Sequence, residues 1–254
     1  MLFEIREKKI IDFLEQQGSV TVTYLSNYFG VSKVTIRRHI DKLANEISPI
    51  KRVRGGAIFN KIGTSYESFE EKFKKLTEVK RKIGNMAASF VKEGDTVILD
   101  SGSTNWYVGE SLSSVKGITI IANDLKIALL VAKFSNVKVI FAGGEIRPLI
   151  YSSYGPLAED YFDNLVVDKL FLGVEAADIK RGITNAQINE ARLKQKMLSC
   201  AKEVIMVADG SKFDKSSLAL VTDFSKINVV VSDRKIPKKY IKFFKDNGIK
   251  LYSV

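Results

Sequence analysis

The chain is poor in cysteine, histidine and proline, with one, one and four residues among 254. Its only cysteine, Cys200, cannot form an intramolecular disulfide, so the core alone must hold the fold, which suits a reducing interior. Within "ARLKQKMLSCA" that thiol reads as a small buried apolar residue. The single histidine, His39, has no second histidine with which to share a metal, and it reads as a residue of a helix surface. Neither a metal nor a cofactor is expected. The scarcity of proline and the absence of any biased tract or internal repeat exclude disordered and fibrous classes. No apolar run approaches the ~18 residues needed to span a bilayer. The opening "MLFEIREKKIIDFLEQQ" interleaves charge with apolar residues, unlike a signal peptide. A cytoplasmic chain without a membrane partner is expected.

What the chain has in surplus is positive charge, a formal +11, and such a field favours contact with a polyanion. Its location decides what that means. Ile5, Ile10, Ile11, Phe13 and Leu14 recur at helical spacing until Gln17-Gly18 ends the element. "SVTV" is a short β-branched run, Thr23 can cap a second helix in "YLSNYFG", and Gly30 turns the chain before Ser32, which can cap a third. In that third helix Ile36, Ile40, Leu43 and Ile47 form one apolar stripe, so Arg38 points away from the core with Arg37, Lys42 and Thr35 around it. Lys33 stands in the first turn, where a cation works against the helix dipole. "IKRVRGGAIF" reads as two strands joined at Gly55-Gly56, a basic wing carrying Lys51, Arg52 and Arg54. Between Lys33 and Arg54 seven cations face two acids, Asp41 and Glu46, a net +5. A solvated helix face is the ordinary meaning of two adjacent arginines. Here they follow a tight helix-turn-helix and precede a wing, the geometry that sets one helix in the major groove of DNA. Ser32, Lys33, Thr35, Arg37, Arg38, Lys42, Lys51, Arg52 and Arg54 are the expected DNA contacts.

Residues 61–75, "KIGTSYESFEEKFKK", are polar and charged and read as a linker between a domain at 1–60 and one at 76–254. A helix follows in "LTEVKRKIGNMAASFVKEG", and beyond it seven apolar runs alternate with amphipathic stretches: "TVILD", "ITIIA", "VKVIFAGG", "KLFLGV", "EVIMVA", "INVVVS" and "IKLYSV". That alternation specifies an α/β fold with a doubly wound parallel sheet. Ligands of such sheets lie at the carboxyl ends of the strands. After the first run come Asp100, Ser101, Gly102, Ser103 and Thr104, where free amides at a helix start and two hydroxyls suit a phosphate, although the serines could equally be simple helix caps. The loop lacks the lysine and glycine spacing of a P-loop or dinucleotide fingerprint, which disfavours nucleotides. Asn123, Gly143, Gly144, Arg147, Thr184, Glu190, Lys194, Asp209 and Lys212 follow later strands. Together they suit a polyhydroxylated anion such as a sugar phosphate. Glu190 and Lys194 could instead be a plain i, i+4 ion pair.

Through "REKKIIDFLEQQGSV", "LSNYFGVSKVTIRRHIDKL" and "RVRGGA" the chain resembles the DeoR family of bacterial transcription regulators, and the loops above resemble that family's sensor domain, which is similar in fold to ribose-5-phosphate isomerase. The resemblance implies a repressor whose operator affinity responds to a phosphorylated sugar. It implies a phosphate loop at 100–104, a rim of Asn123, Gly143, Gly144 and Arg147, and a far wall of Thr184, Glu190, Lys194, Asp209 and Lys212. "GVEA" stands where the family has glycine, hydrophobe, aspartate and glycine, so Glu175 and Ala176 alter the ligand space. An isomerase or deaminase with an accessory DNA module is the alternative, using Asp100, Glu175, Glu190 and Lys194 to move protons. Because one winged helix buries little surface, a homodimer or larger homo-oligomer is expected on paired half-sites.

Overall fold

In a computed structural model, which describes residues 3–46, 50–59 and 68–254, the chain divides into two compact units, 1–66 and 67–254. The first runs α1 (Phe3–Gln17), β1 (Ser19–Thr21), α2 (Val22–Phe29), α3 (Lys33–Glu46), β2 (Ile50–Val53) and β3 (Gly56–Phe59). Its strands form an antiparallel sheet in the order β1-β3-β2. Ile10 and Leu14 of α1, Leu25 of α2 and the α3 stripe of Ile36, Ile40 and Leu43 meet in one core. Ile47, the expected fourth member of that stripe, lies outside the described residues, as does the Gly63-Thr64-Ser65 part of the expected linker.

Three local expectations change. Thr21, not Thr23, caps α2: its Oγ1 accepts from Tyr24 N at 3.1 Å, since the helix already begins at Val22. In the wing the turn falls at Arg54-Gly55, and only Gly55 has a positive φ, +94°. Gly56 is already in β3, where a Cβ would lie 2.1 Å from Val20 O, so it is small to let two strands approach. His39 is not on the surface but fully buried. It flanks the apolar stripe, where α1 supplies polar partners: Arg6 Nε donates to its Nε2 at 3.3 Å, and Glu7 Oε1 stands 3.4 Å from its Nδ1.

The second unit begins with α4 (Phe69–Lys74), α5 (Thr77–Ala88), β4 (Thr96–Leu99), α6 (Ser103–Ser111), β5 (Ile118–Ala122), α7 (Leu125–Val131) and β6 (Val137–Phe141). It continues with β7 (Glu145–Ile146), β8 (Ser153–Tyr154), α8 (Pro156–Asp160), β9 (Val167–Gly173), β10 (Ala176–Asp178), β11 (Gly182–Asn185) and α9 (Ile188–Cys200). It ends with β12 (Ala201–Val207), β13 (Ala219–Thr222), β14 (Val229–Ser232), α10 (Lys238–Asp246) and β15 (Lys250–Ser253). All seven expected runs join one parallel sheet, in the order β15-β14-β12-β9-β4-β5-β6. Alternate residues serve opposite faces. Val97, Leu99 and Phe171 pack with α5, α6 and α7, whereas Ile98, Leu170 and Leu172 pack with α9 and α10. Cys200 is buried in the second of these cores, and burial pushes its thiol up.

Residues 69–74, expected in the linker, instead form α4 and belong to the second unit. The reason is aromatic. Phe73 stacks on Tyr107 with ring centroids 5.3 Å apart and meets Trp106 edge-on at 4.8 Å, while a capping box at Ser68 and Glu71 fixes the helix start.

Gly84 of α5 sets the approach of α5 to α6, because a Cβ there would lie 2.6 Å from the backbone of Tyr107. Gly84→Ala is therefore predicted to destabilise the second unit by about 1 to 3 kcal/mol, the cost of overpacking a close contact. Denaturant unfolding reads this, and an unchanged midpoint would refute the close approach.

Candidate functional site

In the first unit Ser32 caps α3, its Oγ accepting from Thr35 N at 3.1 Å, so both hydroxyls sit at the helix start. Lys33, Arg37 and Arg38 are exposed, as are Lys51 and Arg54 of the wing. None of these five has a carboxylate partner among the described residues. A cleft of about 510 Å³ lies between α3 and the wing, lined by Arg37, Ile40, Arg52, Arg54 and Gly55 among others. Two expected contacts are already engaged. Arg52 pairs with Asp41, which ties the wing to α3, and Lys42 donates to Glu7 Oε2 at 3.0 Å.

In the second unit the chain winds outward from β4 through β5 to β6, then returns to place β9 on the other side of β4. The order reverses between β4 and β9, so their carboxyl ends open a crevice. Asp100 leaves β4 there, fully buried. One carboxylate oxygen accepts from Ser101 N at 2.8 Å and the other from Gly173 N at 2.9 Å, at the end of β9. Lys194 of α9 donates to Asp100 and, at 3.0 Å, to Gly173 O. The i, i+4 pairing of Glu190 with Lys194 is not formed. Burial pushes the Asp100 carboxyl up, and Lys194 with the two amides opposes it. Gly173 cannot be replaced, since a Cβ would meet Ser101 O at 2.8 Å.

Neither Ser101 nor Ser103 caps α6; the cap is Gly102 at φ +121°, with open space where a Cβ would stand. The first amides of α6 therefore have no intrahelical acceptor and no side-chain cap. Gly102 N is held by Asp124 Oδ2 at 3.2 Å, while Asp124 Oδ1 accepts from Lys126 N and Ile127 N to cap α7. Asp124 thus joins two helix starts, a role that sequence reading missed because it looks like an ordinary cap. Around it Asn105 Oδ1, Asn123 Oδ1 and Ser152 Oγ are buried without a hydrogen-bond partner among the described residues.

On the rim Arg147 pairs with Glu190, both side chains 13% exposed. Gly144 has φ +139° and lies against Tyr154 O, whereas Gly143 is exposed in open space. Two far-wall side chains are engaged in local structure: Thr184 Oγ1 accepts from Ser217 N at 2.8 Å, and Asp209, buried, caps the turn at Ser211 N. Glu175 accepts from Ser217 Oγ at 3.3 Å. Lys72 of α4, read in sequence as linker, lies within electrostatic reach of this rim. Burial lowers its pKa, and the charges that act on it are Glu175, Lys212, Glu190 and Arg147. The only sequence signal for it is the Ser-x-x-Glu capping box that starts α4.

The DeoR-like helix-turn-helix domain family matches residues 6–62, and the DeoR C terminal sensor domain family matches residues 75–234. The chain is similar to a provisionally named aga operon transcriptional repressor of Escherichia coli O157:H7, 33% identical over 98% of this chain and 93% of that protein. It is 31% identical to the HTH-type transcriptional repressor GlcR of Bacillus subtilis (strain 168), over 99% of this chain and 96% of the relative. Among solved structures, ribose 5-phosphate isomerase from Plasmodium falciparum aligns with a TM-score of 0.41 and 16% identity, covering 54% of this chain and 53% of that one. Among the described residues no helix is long and apolar enough to cross a membrane, and no three His, Cys, Asp or Glu side chains are grouped to hold a metal ion.

Burial pushes the Asp124 carboxyl from its ordinary 3.8 to about 6, against three backbone amides, and Asp100 adds repulsion. The folded state therefore holds an extra proton between these two values. From this group alone, stability falls as pH rises through that window and is level above it. The Gly102 amide resonance, bonded to this carboxylate, is predicted to titrate with a midpoint near 6. A midpoint near the ordinary value would refute the placement.

Proposed function

The chain belongs to the DeoR family of transcription regulators, and from that premise we propose that it represses genes of sugar metabolism, its operator affinity lowered when a phosphorylated sugar occupies the crevice of the second unit. On this reading α3 enters the major groove with Arg37 and Arg38, and Lys33, Lys51 and Arg54 meet phosphates. Ser32 and Thr35 stand at the helix start, and Lys42 and Arg52 exchange their carboxylates for phosphate. What carries the ligand class is the Arg147–Glu190 pair on the rim, with Lys72 within electrostatic reach of that pair, of Lys212 and of Glu175. The uncapped start of α6 belongs to the same unit. Free amides and cations suit a phosphate. Buried polar atoms of Asn105, Asn123 and Ser152 without partners suit sugar hydroxyls or water. Asp100, Ser101, Gly102, Ser103 and Thr104 form the phosphate loop, with Asn123, Gly143, Gly144 and Arg147 as rim. Thr184, Glu190, Lys194, Asp209 and Lys212 form the wall, the first and fourth by shaping it.

Proton transfer is disfavoured. Lys194 and Asp100 are bonded to each other, to Gly173 and to Ser101, so neither is poised toward a substrate. A homodimer or higher oligomer would supply two recognition helices for paired half-sites.

Two outcomes test the reading. Arg37→Ala and Arg38→Ala should each weaken operator binding by about 1 to 3 kcal/mol while the fold survives, because the opposite face holds the core stripe. A gel-shift titration with wild-type affinity for both would exclude α3 as the reading helix. For the effector, a panel of sugar phosphates with the parent sugars as controls should show one that weakens operator binding, typically by ~1 to 3 kcal/mol of coupling. Lys72→Gln, Thr104→Ala and Lys212→Ala should abolish that response and leave ligand-free operator binding intact. Catalytic turnover of any panel member would replace the sensor reading with the isomerase or deaminase one.

A further inference from the structure

The surplus charge of the chain lies in two places. One is the stretch from Lys33 to Arg54, at +5. The other runs from Arg234 to Lys250, where seven Lys or Arg face a single acid, Asp246, a net +6. These two stretches account for the whole +11, so the rest of the chain is neutral in sum.

The second stretch is built around α10. Lys238, Lys242 and Lys245 follow i, i+4, i+7 spacing and line one side of that helix, whereas Tyr240 and Phe244 on the other side are fully buried. Arg234 and Lys235 precede the helix, and they and the lysines of α10 are exposed. Lys239 pairs with Asp214 at 2.6 Å; Arg234, Lys235, Lys238, Lys242 and Lys245 have no carboxylate partner among the described residues. This arrangement works against the helix that carries it. Lys238 and Lys239 stand in the first turn, opposed to the dipole, and Lys238 and Lys242 repel at i, i+4. Covering the core would require no such sign.

We propose that the basic face of α10, with Arg234 and Lys235, is a second DNA-binding surface that contacts backbone phosphates of duplex DNA without reading sequence. It rests on the reading of the chain as a DNA-binding regulator. Charge complementarity selects the partner. An anionic membrane would need a free apolar face, but the apolar face of α10 is already in the core, and Ile241 is its one exposed large apolar side chain, at 48%. An acidic protein partner would need a cluster of aromatic or apolar anchors, and the patch offers Ile241 alone. Steering of the sugar phosphate would use cations only near the crevice. Lys235 is there, against Gly210, but the stripe from Lys238 to Lys245 runs on for about 10 Å along the helix, a length beside which a duplex presents about six phosphate charges.

The test is the salt dependence of binding of the full chain to a random-sequence DNA duplex, comparing wild type with Lys238→Gln/Lys242→Gln/Lys245→Gln. The logarithm of affinity falls with the logarithm of salt by about 0.9 per phosphate contact, so the variant should lose about 2 to 3 from the slope. Lys242→Gln alone should lose about 0.9, which keeps the test open if the triple variant folds poorly. Sugar-phosphate affinity should be unchanged. A wild-type slope in both variants overturns the proposal and leaves the role of α3 standing. So does a loss seen only with anionic vesicles or with the sugar phosphate. A wild-type chain that binds no duplex at all overturns the DNA reading itself, and this surface with it.

Discussion

The pair of Asp100 and Lys194 holds the second unit together at its most demanding point. The parallel sheet changes direction between β4 and β9, and the two strand ends must close on each other without leaving bare backbone. Asp100 answers both needs by taking the amides of Ser101 and Gly173, and Lys194 brings α9 onto the same spot through Gly173 O. A carboxylate buried so fully needs its cation, and removing one partner of such a pair commonly costs about 3 to 5 kcal/mol. The same crowding of strand ends leaves no room for a side chain at Gly173, where a Cβ would meet Ser101 O and the Asp100 carboxylate.

Asp124 extends this network by one step. Its carboxylate takes Gly102 N from the neighbouring loop and the first amides of α7 at once, so the start of α6 and the start of α7 share one anion. Asp100 raises its pKa as the last of several causes, after burial. Two negative groups therefore support a loop whose remaining amides at the start of α6 have no side-chain cap.

The seven strands were legible in the sequence because a parallel sheet covered on both faces turns each strand into an unbroken apolar run. The winged helix was legible because its stripe and its caps are local. What failed to show was tertiary. His39 reads as surface on α3 until α1 brings Arg6 and Glu7 against it. Lys72 reads as linker, since nothing in "ESFEEKFKK" tells that Phe73 will stack on Tyr107. Lys194 has an obvious partner four residues earlier, yet the structure gives Glu190 to Arg147 and Lys194 to a residue far away in the chain. Capping serines at 101 and 103 were equally plausible from spacing alone, and only the backbone at Gly102 decides against them.

The two kinds of basic residue in this chain are managed differently, and burial is the reason. In the crevice, Lys194 and Arg147 are mostly buried and each is matched by a carboxylate, because an unmatched charge away from water costs several kcal/mol. On α3, the wing and α10 the cations face solvent, where lacking a partner costs little. Exposure also preserves what a polyanion needs, since the gain on binding DNA comes from releasing its counterions and is lost where a protein carboxylate has already neutralised the cation. Asp41 and Glu7, which engage Arg52 and Lys42, are local exceptions on the first surface. Lys72 is the exception in the crevice. It is partly buried, within electrostatic reach of two carboxylates and two cations and with no ion pair among the described residues, and burial lowers its pKa.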